Sequence, residues 1–84
     1  MKVKISYYSD REDKNAEALI LMMAYAVQGK PVSTKFVQNG KGKLRELIFN
    51  IPGGTEPESA PGVFCETACD ILDDFGYQPT FGIP

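Results

Sequence analysis

Cys65 and Cys69 are the only thiols in the chain, and they stand four residues apart. On a helix that spacing puts both on one side. Zinc and iron–sulfur sites usually take four ligands, and no His and no third Cys is present to complete a set. The spacing is also not the C-x-x-C of thiol redox enzymes, so two small apolar residues at the rim of a core is the plainer reading. The missing His removes the Ser-His-Asp and Cys-His nucleophile systems as well. Asp10, Glu12 and Asp13 cluster where a first strand would hand over to a helix, a position suited to ligand contact. Helix N-termini favour acids for capping and dipole reasons alone, however. Gly53-Gly54-Thr55 and Gly40-Lys41-Gly42-Lys43 are Gly-rich, yet neither has the frame of a phosphate loop. No catalytic constellation emerges. The chain is therefore read as non-enzymatic, with no cofactor and no metal.

These residues belong to a single domain spanning 1–84, of 9.3 kDa. Apolar residues at 43% and charged residues at 24% fit a globular chain rather than a disordered one. The N-terminus lacks the apolar stretch of a signal peptide. The longest apolar run is Ala18 to Val27, about half of what a membrane span needs. A non-membrane, cytoplasmic protein with reduced thiols is expected.

Residues 2–8 alternate, with Val3, Ile5 and Tyr7 on one face and Lys2, Lys4, Ser6 and Tyr8 on the other, as in a half-buried strand. Ser9 and Glu12 have capping-box spacing, with Asp10 and Asp13 as competing caps. A helix should follow to about Gln28, with Gly29 in the left-handed position beyond its end and Pro31 preventing continuation. Residues 32–38 and 44–51 are β-rich runs around Asn39-Gly40, a strong hairpin signal. Residues 52–62 read as a flexible loop, 63–75 as a second helix stopped by Gly76, and 77–83 as a short edge strand containing Pro79. The order β-α-β-β-α-(β) predicts an α+β domain of the ferredoxin-like, split-βαβ plan, an antiparallel sheet with two helices on one face.

The two helices carry different messages. On the first, Ala16, Leu19, Ile20, Met23 and Val27 share an arc suited to the sheet. The opposite arc holds Ala18, Leu21, Met22 and Tyr25, where a surface helix should be polar. Those four are the candidate interface of a homodimer, with cover by the C-terminal tail as the alternative. On the second helix Phe64, Ala68, Ile71, Leu72 and Phe75 form the apolar arc, with Cys65 and Cys69 at its edge. Glu66, Asp70, Asp73 and Asp74 occupy the other side with no base among them. Like charges at this spacing, three of them near the helix C-terminus, cost helix stability. The ridge is read as a docking surface for a basic protein, against the plainer alternative of a solubilising face.

Charge is split along the chain. All nine Lys and Arg lie in residues 1–45 beside four acids, while residues 46–84 hold seven acids and no base. The net charge of −2 conceals this asymmetry, which favours steering toward a charged partner. Lys41, Lys43 and Arg45 gather around the hairpin. Lys2, Lys4, Tyr8 and Lys35 would share the outer sheet face, a pattern open sheets use to bind single-stranded nucleic acid. The third strand lacks the Gly and paired aromatics of the RNA-recognition consensus, and the pI of about 5.0 argues the other way. The resulting expectation is a small interaction or regulatory protein, a homodimer that offers its acidic helix to a basic, nucleic-acid-binding protein as inhibitors from phages and mobile elements do. Single-strand nucleic-acid binding and small-ligand sensing are the alternatives.

Overall fold

The computed structural model describes residues 1–84. It orders them as β1 (Lys2–Tyr8), α1 (Lys14–Ala26), β2 (Lys30–Asn39), β3 (Gly42–Asn50), α2 (Ala60–Asp74) and β4 (Thr80–Gly82). The α+β composition read from the periodicities stands: one four-stranded antiparallel sheet and two helices. The strands lie in the order β2-β3-β1-β4. Register pairs Val3 with Phe49, Ile5 with Leu47 and Tyr7 with Arg45, so these six share one face. Both helices bury their inner residues against that face in a single core. Ala16, Ile20 and Ala24 come from α1, and Phe64, Cys65, Ala68 and Leu72 from α2. The alanines let helix backbones approach the sheet, and each large aliphatic contributes about 1.5–3 kcal/mol by leaving water. The Phe49 and Phe64 rings meet edge-on, 5.1 Å between centroids.

The helix ends are built from local chemistry. Asp13 caps α1, its Oδ1 accepting from the Ala16 N–H at 3.0 Å. Ser9, expected as the cap, instead turns its hydroxyl onto the Arg11 carbonyl in the preceding turn. Ser59 caps α2, and Pro61 occupies the first turn, where its missing N–H costs nothing. Residues 60–62, expected in the loop, are therefore helical. Both helices close with the same paired bonds. In α1, Gln28 N–H reaches Tyr25 O and Gly29 N–H reaches Ala24 O. In α2, Gly76 N–H reaches Asp73 O and Tyr77 N–H reaches Leu72 O. Gly76 holds the left-handed conformation as expected, at φ 91°.

At the end of α1 that conformation falls on Gln28 (φ 62°), not on Gly29. Gly29 suits one position later for a different reason: a side chain there would press into the fully buried Ile51 and crowd the carbonyls of Asn50 and Ala24. In the β2–β3 hairpin the positive φ likewise falls on Gly42, at 128°, while the Asn39 side chain accepts the Lys41 N–H at 2.8 Å.

Three core assignments also change. Leu19 is 45% exposed rather than packed on the sheet, because the inner stripe is Ala16, Ile20 and Ala24 and Leu19 stands about 100° from its centre. Cys65 is buried inside the core rather than at its edge. Phe75 lies just past the last turn of α2 and is exposed.

Candidate functional site

β1 and β3 carry an ion-paired knot that periodicity alone did not reveal. Alternation along β3 puts Arg45 on the same face as Leu47 and Phe49, so a guanidinium must be accommodated at the end of the core. Glu17, on the inner flank of α1, meets it with two oxygens, at 2.9 Å to Nε and 3.0 Å to Nη2. Glu12 adds a bond to Nη2 at 3.2 Å. The Tyr7 hydroxyl donates to Glu17 and accepts the Asp13 N–H at 3.1 Å. The second Asp13 oxygen takes the Tyr77 hydroxyl at 2.7 Å, and the Tyr7 and Tyr77 rings lie 4.7 Å apart.

Every buried side-chain polar atom in the molecule has a partner. Burial, followed by the Glu17 bond, pushes the Tyr7 phenol well above its ordinary range. The Ala16 N–H, followed by the Tyr77 hydroxyl, holds Asp13 below the usual carboxylate range. The Glu17 carboxylate raises Arg45 further, against the effect of its burial. A fully satisfied cluster with no unpaired base or nucleophile acts as a clamp joining α1, β1, β3 and the segment after α2.

This clamp corrects the reading of Arg45 as part of a basic hairpin cluster. Arg45 is only 6% exposed, and its guanidinium also covers the Phe36 ring at 4.8 Å from the centroid. Lys43 stands over the same ring at 5.3 Å. The cue available in the sequence was that Arg45 falls in the same alternating phase as the apolar Leu47 and Phe49, with Lys43 at the outer end of that phase.

Two helix faces remain unused by folding. On α1, Ala18, Leu19, Met22, Tyr25 and Ala26 are exposed, with Met22 at 67% and Tyr25 at 57%. Leu21 is half-buried at the edge of a groove of about 330 Å³ between α1 and β2, floored by Leu47 and Phe49. On α2, Glu66, Asp70, Asp73 and Asp74 are all exposed. No ion pair in the molecule involves them. Glu56 and Glu58, also exposed, precede the same helix. No three acids or thiols converge as metal ligands would.

Lys2, Lys4 and Tyr8 share the sheet face opposite the helices, and Lys35 joins them through its pairing with Glu46, which in turn faces Ser6. Glu46 sits among these lysines, 3.8 Å from the Lys35 ammonium. The Tyr8 hydroxyl accepts from Asn39 at 3.1 Å. A smaller apolar cavity, about 180 Å³, lies under the start of α2 between Met1, Cys65 and Phe81. Burial pushes the Cys65 thiol up to about 11, so it is held protonated at neutral pH. Cys69 is likewise pushed up to about 11, first by burial.

No helix is long and apolar enough to cross a membrane. Compared with protein-family models and with curated proteins, the chain matches none.

Proposed function

We propose that this chain is a non-enzymatic interaction protein of split-βαβ, ferredoxin-like architecture that pairs with a second copy through α1 and offers the acidic side of α2 to a basic protein. The architectural assignment is supported by the two crossovers. The connection β1-α1-β2 leaves one gap in the sheet, filled by β3, and β3-α2-β4 leaves one filled by β1.

The observation that carries the function is the ridge itself. Four acids stand in water on one side of α2, unpaired, in a half of the chain that contains no base. Folding does not ask for them. Like charges at three- and four-residue spacing, with Asp73 and Asp74 in the last turn, each cost the helix a few tenths of a kcal/mol. A spaced line of carboxylates suits a surface that otherwise receives phosphates, so the fitting partner is a nucleic-acid-binding protein whose site the ridge occupies.

The test is recovery of bound material by the tagged protein from a lysate at low and moderate salt, beside a variant with Glu66, Asp70, Asp73 and Asp74 all changed to Lys. A discrete basic protein held by the wild type and lost by the folded variant is the expected result. Binding that survives the reversal overturns the ridge as the docking surface. Nucleic acid recovered at low salt and released by moderate salt would instead favour the Lys2, Lys4, Lys35 and Tyr8 sheet face, which Lys30 joins through its pairing with Asn50.

A further inference from the structure

Resting on that reading of α1 as the self-pairing element, we propose a specific geometry: two copies cross antiparallel at Met22, with Met22 against the partner's Met22 on the twofold axis and the small Ala18 and Ala26 on either side of it. The exposed side of α1 reads Ala18, Leu19, Met22, Tyr25, Ala26. It is symmetric in size about Met22: small, large, large, large, small. At 100° per residue Ala18 and Ala26 flank Met22 by about 40° on either side, and Leu19 and Tyr25 by about 60°. A twofold axis lying in the interface at Met22 therefore brings Ala18 level with the partner's Ala26, and sets Leu19 beside the partner's Leu19 on one flank and Tyr25 beside the partner's Tyr25 on the other. A flexible thioether at the centre, with small residues one turn above and below, lets two helices approach closely where they cross. Helices in such contact lie about 8–10 Å apart between axes.

Charge selects this face for a second copy over the other free apolar surface. From Asn15 to Val27 the only charged residue is Glu17, and it is turned inward and paired with Arg45. The free edge of β2 exposes Val32 and Phe36 but also Lys30 and Lys35, which repel a copy of themselves. Area is consistent with the choice. The exposed parts of Leu19, Met22 and Tyr25, with the neighbouring alanines and Leu21, amount to on the order of 500 Å², the upper range of what monomers expose. Two such faces together can bury at most about 1,000 Å², the lower limit for a specific interface. A pair held by this area alone is expected to be concentration-dependent.

The experiment combines sedimentation of the wild type with cross-linking of the full chain through an added cysteine, the wild type serving as control for the buried Cys65 and the partly exposed Cys69. The wild type should shift from 9.3 kDa to twice that mass with concentration. Met22→Cys should form a covalent dimer under mild oxidation. Ala18→Cys and Ala26→Cys should each fail alone and link when mixed. Met22→Lys, at an exposed site, should keep the helical signal and weaken pairing by at least about 100-fold. Ala18→Cys linking to itself as readily as Met22→Cys means a parallel pair and overturns the geometry. A wild-type dimer that persists in Met22→Lys places the interface elsewhere and also overturns it. A wild type that stays at 9.3 kDa at every concentration overturns the self-pairing reading itself.

Discussion

α1 and α2 lie over the same sheet face, contribute to the same core and end in the same paired hydrogen bonds, yet their free sides are opposites. The inner stripes are built alike, from small residues that let the backbone approach and a few large ones that fill space: Ala16, Ile20 and Ala24 on one helix, Phe64, Ala68 and Leu72 on the other. On the outside α1 shows Leu, Met and Tyr with no charge beyond Lys14 at its first position, and α2 shows four acids with no base. Packing dictates the inner stripes, whereas nothing in the fold asks for either outer one. That difference is why the proposed pairing and docking surfaces are the outer faces. The one charge that α1 does spend on folding, Glu17, points inward.

The sharpest way to separate inward from outward acids is Glu17→Ala beside Asp70→Ala. The first strands Arg45 in the core with only the half-exposed Glu12 beside it and takes the acceptor from Tyr7. Removing one partner of such a buried pair should cost about 3 kcal/mol in denaturant unfolding. Asp70→Ala, on the solvated ridge, should move stability by no more than about 0.5 kcal/mol and can raise it. Comparable losses at both sites would break the comparison.

A smaller contrast separates the two N-caps. Asp13 holds both the Ala16 N–H and the Tyr77 hydroxyl, while Ser59 reaches Gly62 N–H only at 3.5 Å. Asp13→Ala should cost about 2 kcal/mol and Ser59→Ala about 1 kcal/mol or less. The Asp13 carboxyl titrates below its ordinary value in the fold, so its contribution is complete above the unfolded pKa of about 4 and is lost as pH falls through the folded one. The deficit of Asp13→Ala should therefore shrink in acid. A deficit that stays constant down to about pH 2 would mean the carboxylate charge is irrelevant to the cap.

The smallest effects are expected at the C-termini. Gln28 holds φ 62° and Gly76 holds 91° in equivalent bonding patterns. Gln28→Gly should stabilise by about 0.5–1 kcal/mol and Gly76→Ala should destabilise by about 1 kcal/mol. Thermal midpoints moving in the same direction for both would show that the two ends are not equivalent.

Much of the architecture was legible in the residues. Alternation along residues 2–8 identified β1 and its inner face, and Asn39-Gly40 located the hairpin. Gly76 marked the end of α2, and Pro79 directly precedes the short edge strand β4. These are local rules, complete within about four residues, which is why they survive folding. The errors came where a local rule met a distant constraint. Gly29 looked like the left-handed residue after α1, but the approach of Ile51 and Asn50 favours a glycine there for space, and Gln28 takes the left-handed angle instead. Leu19 and Cys65 exchanged expected roles because a helix wheel gives the width of an apolar arc but not its centre. The centre depends on which small residues meet the sheet.

The ridge on α2 and the uncharged outer side of α1 were both visible as patterns, since residue type at helical spacing is a property of the chain itself. Composition and order alone determined the α+β class, the separation of charge, and the lack of any His-based chemistry. Only the tertiary structure decided that Arg45 belongs to the core and not to a basic surface. Its partner Glu17 lies 28 residues away, and the two meet only once sheet register and helix placement are set together. A desolvated charge must find its counterion wherever the fold can bring one, and no spacing rule along the chain encodes that distance.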